Sequence, residues 1–343
     1  MTARAQTENT ADKDRVLVCG VNWLGDAVMS IPALGLFRRE KSGCDVSILV
    51  KRRMAELWRM TDCVNEVLVY DPGSGGTLAA ARLVREGGFD RAFVLPNSFR
   101  SALIPFLGRV PVRIGVGTQL RSSLLTGALR PAADGLHQAF EYLRILGLEA
   151  PDGGLPAPAL SLPSGAVLDA ELRLARGKEG RRRLVGFLPG AARGPAKRWP
   201  EEHFVALGRE LVGRAAVSVV VFGSRPETGL CERVADGIGA NAFSTAGQTG
   251  ISQLAAMLRC CDAVVTNDSG GMHLAAAAGT RVVAVFGLTD PSRTGPLGEG
   301  HRVIARKNVP ASRDIRRRSA AAAACLRSIA PEQVLEAVLE VLG

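Results

Sequence analysis

The sequence predicts an α/β protein of two doubly wound domains, each built on a mainly parallel sheet, facing one another across a cleft. Three observations predict it. Short β-rich runs alternate with amphipathic or Ala-rich stretches, which is the pattern of a parallel sheet covered on both faces. The alternation stops at residues 151–165, PDGGLPAPALSLPSG, a Pro- and Gly-rich linker, and then restarts. A length of 343 residues suits two domains of ordinary size.

In the first half, strands are expected at Arg15–Val21, Asp45–Val50, Glu66–Asp71, Arg91–Asn97 and Val112–Gly117, with helices such as Gly25–Arg39 and Leu78–Gly87 between them. An Arg-rich helical piece, Leu168–Arg183, follows the linker. In the second half, strands are expected at Leu184–Pro189, Val217–Gly223, Ala263–Asn267 and Arg281–Gly287. Helices are expected at Glu201–Val212, Glu227–Ile238, Ile251–Arg259 and Gly270–Ala278. The division is a disordered tail over 1–14, a first domain over 15–165 that includes the linker, and a second over 166–330. A final helix, Pro331–Leu342, opens with Pro and an acid as a helix start should, and is expected to pack back on the first domain.

Composition narrows the function. Hydrophobic residues make up 47% and charged residues 22%, so the chain buries real cores and is not disordered. The net charge of +10 fits an anionic partner or a solvated basic surface. No basic surface interleaved with aromatics and no reader motif is present, so nucleic acid is not an expected partner. Seven cysteines in no regular framework read as free thiols in a reducing compartment. The four histidines are scattered and Cys260–Cys261 is not a zinc half-site, so no metal is expected. With neither a signal peptide nor a bilayer-length apolar run, the expected location is cytoplasmic, with peripheral contact at a membrane through basic residues. A monomer without cofactor is expected.

Five strand-end segments carry candidate chemistry. Gly20-Val-Asn22-Trp-Leu-Gly25-Asp26 follows the first strand and opens a helix. Its spacing is not GxGxxG, and its acid would repel a pyrophosphate. Asp26 is either a helix cap or a general base toward a hydroxyl. Leu188–Glu201 combines small residues with Lys197 and Arg198, which neutralise phosphate or simply make a basic loop. Asn267-Asp268-Ser269-Gly270-Gly271-Met-His273 ends a strand and enters a small-residue helix. It reads as an anion cradle, or as a helix capped by Asp268 and Ser269. Phe286–Pro291 and Val221–Glu227 end adjacent strands, and Glu227 suits the hydroxyls of a ribose.

These stretches resemble glycosyltransferase family 9, the lipopolysaccharide heptosyltransferases. The likeness runs through NWLGDAVMSIPAL (22–34), LPNSFRSALIPF (95–106), LPGAARGPAKRWPEEHF (188–204), VFGSRPE (221–227), the segment 246–280 and VFGLTDP (285–291). The resemblance implies a GT-B fold of two Rossmann-like domains and an inverting, metal-independent transfer from ADP-heptose to the lipopolysaccharide inner core. It places the catalytic base on Asp26. Donor contacts fall on Lys197, Glu227, Asp268, Ser269, Gly270, Gly271 and His273. Acceptor contacts fall on Asn97, Ser98 and Arg100. Asn22 and Arg121 are expected on the same side, where the basic surface of Lys51, Arg52, Arg53, Arg100 and Arg121 attracts an anionic, lipid-linked saccharide. The chain departs from similar proteins at 310–325, where they often carry a longer Cys-rich loop and only Cys325 stands here. Two other readings share these motifs: a nucleotide-sugar binding protein without transfer activity, and a GT-B-type epimerase that needs no acceptor.

Overall fold

A computed structural model describes residues 14–118, 120–132, 135–175, 183–306 and 319–343. All but the last residue of the expected tail, and most of the cysteine-poor segment 310–325, lie outside them. The first half runs β1 (Arg15–Cys19), α1 (Leu24–Glu40), β2 (Asp45–Lys51), α2 (Ala55–Arg59), β3 (Glu66–Tyr70), α3 (Gly76–Glu86), β4 (Arg91–Val94), α4 (Phe99–Leu107), β5 (Val112–Val116), β6 (Gly127–Leu129) and α5 (Gln138–Leu146). The second begins with α6 (Ser164–Leu174), β7 (Arg183–Leu188), α7 (Glu201–Arg214), β8 (Val217–Val221), α8 (Thr228–Ile238), β9 (Ala242–Ser244) and α9 (Ile251–Arg259). It continues through β10 (Ala263–Asn267), α10 (Gly270–Ala277), β11 (Val282–Phe286), α11 (Pro291–Thr294), β12 (Arg302–Ala305), α12 (Ala320–Arg327) and α13 (Pro331–Leu342).

Each half holds a six-stranded sheet, ordered β3-β2-β1-β4-β5-β6 and β9-β8-β7-β10-β11-β12. Every pairing is parallel. The central strands are continuous apolar runs because helices cover both faces: β8, β10 and β11 are buried at every residue. Strand order reverses between β1 and β4, and again between β7 and β10. In open parallel sheets a crevice opens beyond the strand ends at such a reversal. The loops leaving these four strands therefore face each other in the cleft.

The two halves share a core, in which Val28, Ile31 and Leu34 of α1 join Met272 and Ala275 of α10. α1 and α10 meet start to start. A Cβ on Gly270 would lie 2.9 Å from Leu24 Cβ and 3.2 Å from the Gly25 nitrogen, and one on Gly25 would lie 2.9 Å from His273 Cδ2. Only glycine permits this approach of backbones. It brings two positive helix ends together, and a carboxylate accompanies each: Asp26 in the first turn of α1 and Asp268 just before α10. Two further contacts join the halves. Glu56 accepts from the Ser252 N–H at the start of α9 (3.2 Å). His137 accepts the Ala139 N–H at Nδ1, which leaves its Nε2–H to donate to the Gly295 carbonyl (3.1 Å).

The last helix differs from expectation. α13 packs on α7 and on β10, β11 and β12 of the second half, not back on the first domain. Its apolar stripe, Val334, Leu335, Val338 and Val341, is buried in the second core together with Trp199 and Phe204. Helix spacing determines that such a stripe must be covered, but does not determine by which sheet. Among the described residues, no helix is long and apolar enough to cross a membrane.

Candidate active site

Asn267 fixes the floor of the second-half site. It is fully buried at the end of β10; its Oδ1 accepts the Trp199 N–H (2.8 Å) and its Nδ2 donates to the Pro189 (2.8 Å) and Gly190 (3.3 Å) carbonyls. One side chain thus holds both ends of the β7–α7 loop. Asn267→Ala leaves these buried backbone groups unpaired, at about 1–3 kcal/mol each. The expected loss is about 2–4 kcal/mol by urea unfolding, and an unchanged midpoint would remove Asn267 from this role.

Held in this way, the loop delivers Lys197. Its Nζ lies 2.5 Å from Asp268 Oδ2, with the two side chains only 14% and 9% exposed. Ser269 stands before α10 in extended backbone and makes no side-chain cap bond; its hydroxyl lies 3.4 Å from that of Thr266. The capping reading of Ser269 is therefore not what the structure shows. Glu227 Oε2 accepts from the Ser224 N–H (2.9 Å) and hydroxyl (2.6 Å), and Oε1 lies 3.5 Å from the Arg198 guanidinium. Gly190 makes room for it, since a Cβ there would sit 2.1 Å from Oε1. Gly270 and Gly271 border the cavity, but the space their missing side chains leave is filled by Leu24 and Leu188 rather than held open for a ligand.

His273 is buried behind this turn. Burial pushes its imidazole down to about 4, against the opposing pull of Asp268. Above pH 6.5 neither the folded nor the unfolded chain protonates it. As pH falls from 6.5 to 4, the unfolded chain binds a proton that the folded chain refuses, so stability drops by on the order of 3 kcal/mol. His273→Gln should flatten this part of the stability–pH curve, measured by urea unfolding at pH 7 and pH 5. Parallel curves for variant and wild type would contradict it.

Two cavities open from the cleft. The larger, about 550 Å³, is lined on the second-half side by Lys197, Glu227, Asp268, Ser269 and His273. The other, about 420 Å³, is lined on the first-half side by Asn22, Asn97, Ser98 and Tyr142. Trp23, Asp26, Arg193, Lys197 and Thr294 line both. Half-buried Asp26 therefore stands where the cavities meet. Among the described residues, no group of three or more His, Cys, Asp or Glu is placed to hold a metal.

Comparison with known proteins decides the family. The model of "Glycosyltransferase family 9 (heptosyltransferase)" matches residues 77–324. The lipopolysaccharide heptosyltransferase 2 of Salmonella typhimurium is 34% identical over 315 residues, covering 84% of this chain and 87% of that one. The chain belongs to glycosyltransferase family 9. Lipopolysaccharide heptosyltransferase 2 of Escherichia coli K12 is 31% identical over 343 residues, covering 94% of this chain and 97% of its own. The solved structure of E. coli ADP-heptose LPS heptosyltransferase II superposes with a TM-score of 0.81 at 28% identity, covering 96% and 98% of the two chains. The protein is thus a glycosyltransferase with the two-domain α/β fold of the family's heptosyltransferases. The family match includes Lys197 to His273 but begins after Asp26.

The expected site residues are brought together unevenly. All the donor-side residues and Asp26 line the larger cavity, and Asn22, Asn97 and Ser98 line the smaller. Arg121 does not reach either. It is fully buried, donating to the Val116 carbonyl (2.6 Å), the Pro96 and Ser98 carbonyls, and Asn97 Oδ1 (3.3 Å). It shapes the loop that presents Asn97 and Ser98, and is not itself an acceptor contact. Arg100 is exposed and lines neither cavity; its charge, after burial and Arg53, helps lower the pKa of Lys51. Arg52 is engaged on the surface with Asp71. The sequence reading missed Arg193, whose guanidinium lies 5.9 Å from the centre of the Trp23 ring and so bridges the halves between the cavities. It also missed Glu56 and His137, whose partners lie across the chain where no local pattern points.

Proposed function

We propose that the protein transfers heptose from ADP-heptose to an anionic, lipid-linked saccharide of the lipopolysaccharide inner core, with inversion, without a metal, and with Asp26 as general base. The observation that carries the mechanism is the placement of Asp26 on the wall common to both cavities. The relatives named above supply the donor and acceptor class. In this reading the larger cavity holds the donor. Lys197 has three N–H groups; one faces Asp268 and the others remain to meet the diphosphate, with the start of α10 behind it. Glu227 lies where the ribose hydroxyls would be read. The smaller cavity holds the acceptor against Asn22, Asn97 and Ser98.

Transfer is then one displacement. The acceptor oxygen bonds to the anomeric carbon as the bond to ADP breaks, the proton of that hydroxyl passes to Asp26, and ADP leaves with the electron pair. Lys197 offsets the developing charge. The site of action is the cytoplasmic face of the inner membrane, with the protein bound peripherally. A thermal-shift screen across ADP-, UDP-, GDP- and CMP-sugars tests the donor. ADP-heptose should raise the melting temperature, and a preference for another nucleotide would overturn the assignment.

A further inference from the structure

The outer side of α4 is apolar where a surface helix is normally polar. Phe99 and Phe106 lie at i and i+7, with Leu103 half-buried between them against the core, and Phe99, Phe106 and Leu107 are 45%, 42% and 37% exposed. The opposite side, with Ala102, Ile104 and Pro105, is buried. Leu120, in the connection between β5 and β6, is 93% exposed at a φ of +60°, which a leucine rarely adopts. It is not a loose tip, because the next residue is Arg121, anchored beneath the loop that begins α4.

The segment that carries this face is basic: from Arg91 to Ala133 the chain has six arginines and no carboxylate, although Arg121 is buried and Arg91 pairs with Asp14. Arg100 and Arg109 are exposed and form no ion pair among the described residues, and Arg113 lies over the Phe106 ring at 5.4 Å. Exposed apolar side chains beside Arg100 and Arg109, two arginines without an acidic partner among the described residues, complement an anionic headgroup layer over acyl chains. The face is also continuous with the smaller cavity, since Ser98 is both the N-cap of α4 and part of that cavity's wall.

We infer that α4 and Leu120 form a docking surface for an anionic phospholipid bilayer, which brings the mouth of the smaller cavity to the membrane. The orienting role rests on the reading of that cavity as the acceptor side. The contact itself is tested without donor, acceptor or turnover, so it fails or stands apart from that reading. The full chain is floated with vesicles of phosphatidylethanolamine and phosphatidylglycerol, and with vesicles of phosphatidylcholine alone. It should float with the anionic vesicles only, and less as salt rises. Phe99→Ser with Leu120→Ser should lower the bound fraction about tenfold. Leu168→Ser with Leu172→Ser, at exposed positions of α6, should leave it unchanged and controls for general loss of apolar surface. Absence of flotation, equal flotation of the Phe99/Leu120 variant, or a stable wild-type dimer that this variant dissociates would overturn the inference.

Discussion

Asp26→Asn is expected to lower kcat for sugar transfer by about 10²–10⁴-fold, the range that a positioned general base contributes. The affinity for ADP should not change, because the amide has the shape of the carboxylate and Asp26 is assigned to the acceptor's proton. Stability should move little. The carboxylate's favourable interaction with the start of α1 is worth about 0.3–1 kcal/mol. Steady-state kinetics with matched ADP titrations check this. Near-normal turnover would remove Asp26 as base and leave it as a helix-end charge.

Lys197→Met is expected to lower kcat for transfer by about 10²–10³-fold, through loss of charge stabilisation on the leaving diphosphate. It should also destabilise the fold, since it leaves the nearly buried Asp268 carboxylate unpaired. Breaking a buried pair costs about 3–5 kcal/mol. Because part of the pair reaches solvent, a figure of about 2 kcal/mol is more appropriate. Adding Asp268→Asn separates the two effects. The double variant should regain stability but not turnover, and recovery of turnover with stability would mean that Lys197 acts only as a structural partner.

Much of the fold is legible in the sequence because buried parallel strands are continuous apolar runs and their helices alternate with them. Ala263–Asn267, Ile251–Arg259 and Pro331–Leu342 fall where expected. Gly127–Leu129, Ala242–Ser244 and Arg302–Ala305 were not expected. Each is a three- or four-residue strand at a sheet edge, ordered by the neighbour it pairs with rather than by a pattern of its own. The second-half site is legible for a similar reason: strand ends, small residues and a helix start lie together in sequence at Asn267–His273.

Arginines were the harder case. Sequence gives a charge but not its burial, so Arg121 and Arg100 look alike although one is enclosed by carbonyls and the other is exposed. The glycines teach a related lesson. Gly25 and Gly270 are required, as expected of such motifs, but their closest neighbours belong to the facing helix rather than to a ligand.

The central claim is that the two cavities divide the substrates, with the donor on the second domain, the acceptor on the first, and Asp26 between them. Calorimetric titration of ADP into two variants tests it most directly, since Glu227 lines only the larger cavity and Asn97 only the smaller. Glu227→Gln should weaken ADP about tenfold, the size expected for losing a charged hydrogen bond. Asn97→Ala should bind ADP as the wild type does. Weakened ADP binding in Asn97→Ala, with Glu227→Gln unaffected, would contradict the division.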